Sequence, residues 1–443
     1  MSLETPTAIR SLQRKLYVAA KAEPERRFHQ LYDKVYREDI LAHAYAVARS
    51  AKGSRTAGVD GETFADVEAH GAVQWLTGLR EELRTTTYRP QPVRRVMIPK
   101  PGGGERPLGI PTVRDRVVQT AAKLVLEPIF EADFADCAYG YRPKRSAQDA
   151  VRSVHQALLE GHTDVVDADL SKYFDTIPHH ELLLCVARRV VDRHMLHLVK
   201  MWLKVPTEER DAKGKTRMSG GKGATHGTPQ GGVISPLLAN IYMNRFLKAW
   251  KQHGKSEQYR ARIVNYADDF VILSRGHARA ALDWTRNVMG RIGLTLNEQK
   301  TCLRNGRCEP FNFLGYTFGP VMNKRSGKRY LGAAPSEKAI TRLRGRLREI
   351  LHRGNMAPWP EVVQELNQTL QGWQNYFSYG SLGTAYETVN WAVLDRVRRF
   401  LRRRHKVRTQ SMWGRFPAKT IYGSLGVHQL RRPKKGLTPC AAT

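Results

Sequence analysis

The sequence predicts an α+β fold, in which a block of helices precedes a middle part where β-like runs alternate with helices, and an all-helical, strongly basic region follows. Two β-like hairpins carry the first half of that reading: VRRVMIPK turning at Pro101 to Gly104 into RPLGIP, and Arg260 to Val264 turning through NYADD into Phe270 to Leu273. A shift in composition carries the second half, because from Glu337 to the end there are 20 Lys+Arg against 6 Asp+Glu in a helical pattern. The chain has 443 residues, 41% of them hydrophobic, which suits two or three domains and excludes disorder throughout.

Charge narrows the class of partner. With 73 Lys+Arg against 41 Asp+Glu the formal net charge is +32, so a polyanion is expected. The mean hydropathy is −0.50 and no apolar run approaches the roughly 18 residues of a membrane span. The N-terminus is polar, with an acid at Glu4, and is not expected to be a signal peptide. Five scattered cysteines without a CxxC pair argue against a disulfide framework or a zinc ribbon and for a reducing, intracellular compartment, so no disulfide partner is expected.

Each element follows in order. From Leu12 to Ala51, apolar residues at three- and four-residue steps (Leu16, Ala19, Ala20; Leu41, Tyr45, Ala48) predict helices, and Gly58 to Gly61 ends them. After the first hairpin, Thr112 to Glu131 and Arg145 to Leu159 have helical periodicity. TDVVDADL reads as a strand and SKYFDTIPHH as an aromatic turn. Two helical segments then lead to a loose, basic loop from Asp211 to Thr228, and Ser235, as N-cap, with Pro236 at the first helical position opens a long helix through Trp250. A domain boundary is expected near Gly332 to Ser336.

The acids attract attention in so basic a chain. Asp169 ends one β-like run, and Asp268 and Asp269 sit at the tip of the second hairpin. In a palm-like sheet those elements can be neighbours, so that three hard carboxylates could hold two metal ions about 4 Å apart, as in-line phosphoryl displacement requires. Read alone, the Asp pair is better taken as a pair of turn formers, since Asp is common in hairpin loops.

The surrounding residues resemble the group II intron-encoded reverse transcriptase/maturase family. Tyr266-Ala267-Asp268-Asp269 is similar to its YADD box, Asp169 to Asp175 to its first metal-binding motif, and Gly227 to Pro236 to its GTPQGG segment. Lys100 to Pro111, Arg114-Asp115-Arg116 and Tyr139 to Pro143 resemble its fingers blocks, while Gly293 to Lys300 and Phe313 to Tyr316 resemble its late palm motifs. Together they cover residues 55 to 405. The resemblance implies a right-hand polymerase: fingers, a ferredoxin-like palm, then an all-helical basic thumb.

It also implies roles. Asp169, Asp268 and Asp269 would be catalytic and hold two Mg²⁺ ions, with Mn²⁺ as a substitute. Lys100 and Arg106 would grip the triphosphate of a dNTP, Arg in a bidentate manner; Phe174 would crowd the sugar 2′ position, and Gln230 would lie near the incoming nucleotide. Asn240 reads as a structural residue inside its helix, and Asp175 fits a family acid or a turn cap equally. Lys300 would reach a primer or template phosphate, and Phe313 to Tyr316 would form a primer-gripping turn.

Leu366 to Phe377 resembles the family's maturase-specific segment, in which Trp373, Tyr376 and Phe377 read as thumb core. Asp395 to Arg408 holds eight Lys+Arg in fourteen residues, and such a helix suits a folded RNA; Arg398, Arg399, Arg402, Arg403 and Arg404 are its expected nucleic-acid contacts. The expected division is an N-terminal helical extension (1–60), fingers and palm (61–335), thumb (336–408) and a basic tail (409–443) that resembles, weakly, a short DNA-binding segment. No His-Asn-His endonuclease pattern follows Arg408, so second-strand cleavage is not expected.

The function implied is RNA-directed DNA synthesis joined to binding of a group II intron RNA, with an RNA template, a DNA primer or target, and dNTPs as partners, in an intracellular, bacterial, nucleoid-associated setting. Two rivals stand beside it: an RNA-binding splicing cofactor with incidental polymerase activity, and a domesticated or defence-associated reverse transcriptase.

Overall fold

The computed structural model describes residues 4–99, 104–210, 215–322, 327–408 and 412–432. Helices α1 (Thr7–Ala22), α2 (Tyr32–Val35) and α3 (Glu38–Ser50) come first. Their apolar stripes, Ile9, Leu16 and Ala20 on α1 and Ile40, Leu41, Ala44 and Ala48 on α3, enter the same core as the rest of the fingers and palm. Arg189 closes the end of α1: its guanidinium pairs with Asp133 and donates to the carbonyls of Ala20, in the last helical turn, and of Glu23, Pro24 and Arg26 just beyond it.

Two helices that the sequence reading did not anticipate follow the Gly58–Gly61 break, α4 (Phe64–His70) and α5 (Ala72–Arg84). Thr63 and Asp66 form a reciprocal capping box that starts α4. The first hairpin is β1 (Val93–Pro99) and β2 (Glu105–Ile110), antiparallel with Ile98 opposite Arg106. Thr112 then caps α6 (Val113–Glu131), the long helix on which α1 and α3 lie, and Ser146 with Asp149 caps α7 (Ala147–Leu159).

The next stretch is β3 (Asp164–Asp169), α8 (Tyr173–Thr176), α9 (His179–Ala187) and α10 (Arg193–Leu203), then β4 (Pro206–Arg210) and β5 (Thr216–Gly220). Part of the expected loose loop is therefore a strand. β5 pairs back onto β4, and β4 joins β1 in parallel, giving the fingers sheet the order β2-β1-β4-β5. A strand this polar suits a sheet edge with both faces in water, and its residues are mostly exposed. Ser235 is the first residue of α11 (Ser235–Gln252) rather than its cap; Ile234 takes that position, and its N–H meets the Gln119 side chain at 3.3 Å.

After α12 (Lys255–Gln258) come β6 (Ala261–Tyr266), β7 (Asp269–Ser274), α13 (Ala278–Arg291) and β8 (Cys302–Asn305). The palm sheet has the order β6-β7-β3-β8 with every neighbour antiparallel. Alternation sends Val166, Ala168, Phe270 and Ile272 into the main core and Val165, Val264, Val271 and Leu273 into a second core under α7. A three-stranded sheet, β9 (Phe311–Phe313), β10 (Tyr316–Met322) and β11 (Arg329–Pro335), adds Phe311, Phe313 and Phe318 to that second core.

The thumb is α14 (Glu337–Ile350), α15 (Trp359–Tyr376) and α16 (Gly383–Arg404) around Leu343, Leu347, Leu366, Leu370, Val393 and Val397. The expected basic tail is, over its described residues, a strap on this thumb. It forms α17 (Met412–Arg415) and α18 (Ala418–Tyr422) and buries Phe416, Ile421, Val427 and Leu430 in the thumb core. Two carboxamides hold it: Asn367 meets Gly426 O and His428 N, each at 2.7 Å, and Asn390 meets Leu430 N and O, each at 3.0 Å. Among the described residues no helix is long and apolar enough to cross a membrane, and Cys137, Cys185, Cys302 and Cys308 are free thiols.

Candidate active site

Asp169 is the last residue of β3 and Asp269 the first of β7, and the two are register partners. Tyr266 faces Asp269 from β6, so Ala267 and Asp268 make the tip. Ala267 stands in the left-handed region at φ +58°, which costs an L residue on the order of 1 kcal/mol. Its surroundings hold it there. Asn265, fully buried, donates its amide to Ala267 O at 2.8 Å and is bonded through its own backbone to Cys137 O and Tyr139 N. Gly140 approaches so closely that a Cβ there would sit 2.4 Å from Ala267 N, and Asn240 pins it by donating to Gly140 O at 2.8 Å. Asn240 thus has the structural role expected of it.

The acids repel one another in a partly dry place. Burial, then Asp268, Asp169 and Asp167, push the Asp269 carboxyl up to about 7, while Lys300 pulls the other way. Asp268 is raised by burial and by Asp169, and Asp167 is raised to about 6, chiefly by burial. Asp167 was not among the expected site residues; its spacing of two from Asp169, which puts both on one strand face, was the available signal. Such a concentration of hard oxygen donors fits a divalent cation. Among the described residues no three acids converge into a ready metal cage. Magnesium commonly takes one or two carboxylates and completes its shell with water and substrate phosphates, so an open carboxylate edge is compatible with it.

Lys300 does not point away toward a phosphate. Its ammonium lies 2.9 Å from Asp169 Oδ2, which also accepts from Asn297 at 3.2 Å.

Fingers residues approach the same edge. Lys100 lies outside the described residues. Arg106 is exposed on β2. Tyr141, half-exposed, feels both sides: its phenol is raised by burial and by Asp268, and Arg106 works against that. Gln230 donates to Asp175 Oδ1 at 3.1 Å, and its carbonyl accepts from Gly109 N at 2.5 Å. Gly231 is indispensable to that seam, with φ +108° and a virtual Cβ 2.2 Å from Gly109 O. Thr228 N donates to Phe174 O at 2.7 Å, so the Gly227–Gly232 loop ties β2 to α8. Phe174 is half-buried beside Tyr173, and the adjacent cleft of about 270 Å³ is lined in part by Arg95, Asp175, His226 and Gln230.

At the other end, Leu314 and Gly315 form a left-handed turn between β9 and β10. Tyr376 donates to Leu314 O at 2.9 Å, and Tyr316 donates to Tyr376 O at 3.0 Å, a reciprocal brace between palm and thumb. Phe377 is buried and Trp373 and Tyr376 half-buried, at this joint. Beside them runs a groove of about 690 Å³ whose lining includes Lys338, Arg342 and Arg346.

The basic helix divides. Arg398 is buried, donates to Phe416 O at 2.9 Å and covers the Trp413 ring, so it is a packing residue and not a surface contact. Arg399 pairs with Asp395, Arg404 donates to Ala357 O, Arg402 is half-buried and partnered, and Arg403 is exposed. Burial, and then Arg348, Arg399 and Arg403, hold the Arg396 guanidinium below its usual value, which marks a crowded positive surface across α14 and α16.

Comparison with known proteins agrees with this architecture. Residues 98–318 match the reverse transcriptase (RNA-dependent DNA polymerase) family, and residues 340–416 match the group II intron maturase-specific domain. The chain is 37% identical over 366 residues to protein YkfC of Escherichia coli K12, an alignment that covers 75% of this chain and 93% of that protein. It is 29% identical over 369 residues to the group II intron-encoded protein LtrA of Lactococcus lactis, covering 68% of this chain and 59% of LtrA. The chain belongs to the group II intron-encoded reverse transcriptase/maturase family.

Proposed function

We propose that this RNA-directed DNA polymerase works at the β3–β7 edge, with Asp169, Asp268 and Asp269 as the carboxylates that hold its divalent ions. Two Mg²⁺ ions, or Mn²⁺ in their place, would supply charge neutralisation at the primer 3′-oxygen and the departing pyrophosphate. The protein's part is positioning. The Asn265–Gly140–Asn240 network keeps the tip rigid, and Arg106, together with Lys100, meets the dNTP phosphates. Phe174 and Gln230 border the nucleotide from the α8 side, where the Gly227–Gly232 loop joins Phe174 O to β2 through Thr228 N and Gln230 O.

The second part of the reading gives the thumb an RNA to hold. Arg399, Arg402, Arg403 and Arg404 contact the backbone of a group II intron RNA, supporting its splicing and mobility into DNA. Such substrates suit an intracellular, nucleoid-associated protein.

The observation that carries the polymerase assignment is the pairing of Asp169 with Asp269 beside the Asp268 tip. Primer extension on an RNA template in Mg²⁺ tests it: Asp268→Asn should lose more than the roughly 10–100-fold typical of an outer-shell change while its thermal unfolding is unaltered. Synthesis at the wild-type rate by that variant would sink the assignment. For the thumb, splicing of the host intron RNA with and without the protein at moderate salt decides; no acceleration removes the maturase role.

A further inference from the structure

Two indoles face solvent on the thumb. Trp391 is 62% exposed and Trp413 52% exposed, whereas the thumb's Phe400, Phe416 and Tyr386 are buried. Leaving that much apolar area in water forgoes about 25 cal/mol per Å², so the fold gains nothing from it. Trp391 and Arg398 lie seven residues apart on α16, two turns and about 10 Å along one stripe. Arg398 reaches the second indole: its guanidinium carbon lies 4.0 Å from the centroid of the Trp413 ring.

Arg398 is itself locked, since it is only 7% exposed and bonded to Phe416 O. One face of Trp413 is therefore fixed against a cation that is not free to swing away, and the rest of the ring meets solvent. Arg399 and Arg403 lie together along one side of the stripe, and burial, then Arg348, Arg399 and Arg403, lower the nearby Arg396 guanidinium.

Flat exposed rings set in a cationic surface match a polyanion that offers base faces. A duplex hides those faces in its stack, so the complementary ligand is unpaired. Both indoles lie within the residues that match the maturase-specific domain, which argues for RNA over DNA.

We infer that Trp413, together with Trp391 on α16, is a stacking platform for unpaired bases of the RNA that the thumb holds. This rests on the proposed RNA-binding role, which is reached mainly through phosphates; the platform adds a preference for single-stranded segments such as loops and bulges.

The test uses the full chain and three probes of equal length: an RNA hairpin with a large loop, a fully paired RNA, and single-stranded DNA. Affinity is followed by anisotropy across a salt series. Trp413→Ala should weaken the looped RNA by roughly five- to hundredfold, leave paired RNA unaffected and keep the salt slope, whereas Arg403→Ala should lower the slope. Trp413→Tyr should restore most of the loss, and extension of a short primer–template should be unchanged in both variants.

Trp391→Ala, on the rigid α16, repeats the experiment should Trp413→Ala loosen the strap. Wild-type affinity in both Ala variants, or an equal loss on paired RNA, overturns the platform. Equal, equally Trp-dependent binding of single-stranded DNA overturns the RNA assignment. A wild-type chain that binds none of the RNAs sinks the thumb's RNA role instead, which separates the two failures.

Discussion

Asp169 and Asp269 are partners on the same rung of the palm ladder. Like charges directly opposite across two strands oppose the pairing, yet the apolar rungs beneath, Val166 with Ile272 and Val165 with Leu273, hold the register and leave the carboxylates nowhere else to go. The sheet thereby stores repulsion where a cation would relieve it, and in the free protein Lys300 supplies a partial substitute.

Removing that substitute should favour the cation. Lys300 is 67% exposed, so its ion pair with Asp169 is screened and worth no more than about 1 kcal/mol. Lys300→Met should therefore tighten Mn²⁺ binding to the nucleic-acid-free protein by up to about fivefold, measured by the paramagnetic signal of free Mn²⁺. Unchanged or weaker binding would show that the pair does not compete with the metal.

Gly140 supports the catalytic tip without touching substrate. A methyl group there would meet Ala267 N at 2.4 Å, so Gly140→Ala must move the turn that carries Asp268. Displacement of about 1 Å can cost on the order of 100-fold in rate, and that loss in kcat for primer extension is expected with thermal stability lowered only slightly. The comparison of kcat with the melting curve checks it.

Asp192 links stability to acid. Burial raises its carboxyl, but N–H groups of Leu31, Tyr32, His194 and Met195 outweigh burial and hold it below the usual value. The unfolded group titrates near 3.9, so its contribution is complete above that pH and is lost as pH falls through the lower folded value. Asp192→Asn should cost roughly 2 kcal/mol at neutral pH, with the gap from wild type closing below about pH 4. Denaturant titrations at pH 7 and pH 3.5 would reveal a constant gap if the charge were irrelevant.

Arg189 fastens the N-terminal helices to the palm. Replacing it by Met would leave Asp133 half-buried without its cation and take a donor from the carbonyls of Ala20, Pro24 and Arg26, a change of about 3–5 kcal/mol. Limited proteolysis between α1 and α2 should accelerate accordingly.

The sequence made the hairpins legible because alternating apolar residues flank obvious turn formers, and the acid tip because Asp is conspicuous in so basic a chain. Helices α4 and α5 were not seen because each buries only two residues, Phe64 and Val67 in one and Leu79 and Leu83 in the other, too few for a clear stripe. The behaviour of Arg398 and Lys300 was hidden for another reason: a charge count does not reveal which arginine of a basic helix turns inward, nor that a lysine finds an acid far away in sequence. The strap was missed because its anchors, Asn367 and Asn390, read as ordinary polar surface.

That strap has a practical side for anyone who wishes to cut or extend the protein. A chain shortened at Arg408, the natural place to stop if basic residues alone marked the thumb, would strip Ile421, Val427 and Leu430 from an apolar bed and leave the Asn367 and Asn390 side chains without their partners. A shortened chain should therefore keep everything through Leu430, so that the thumb retains this layer.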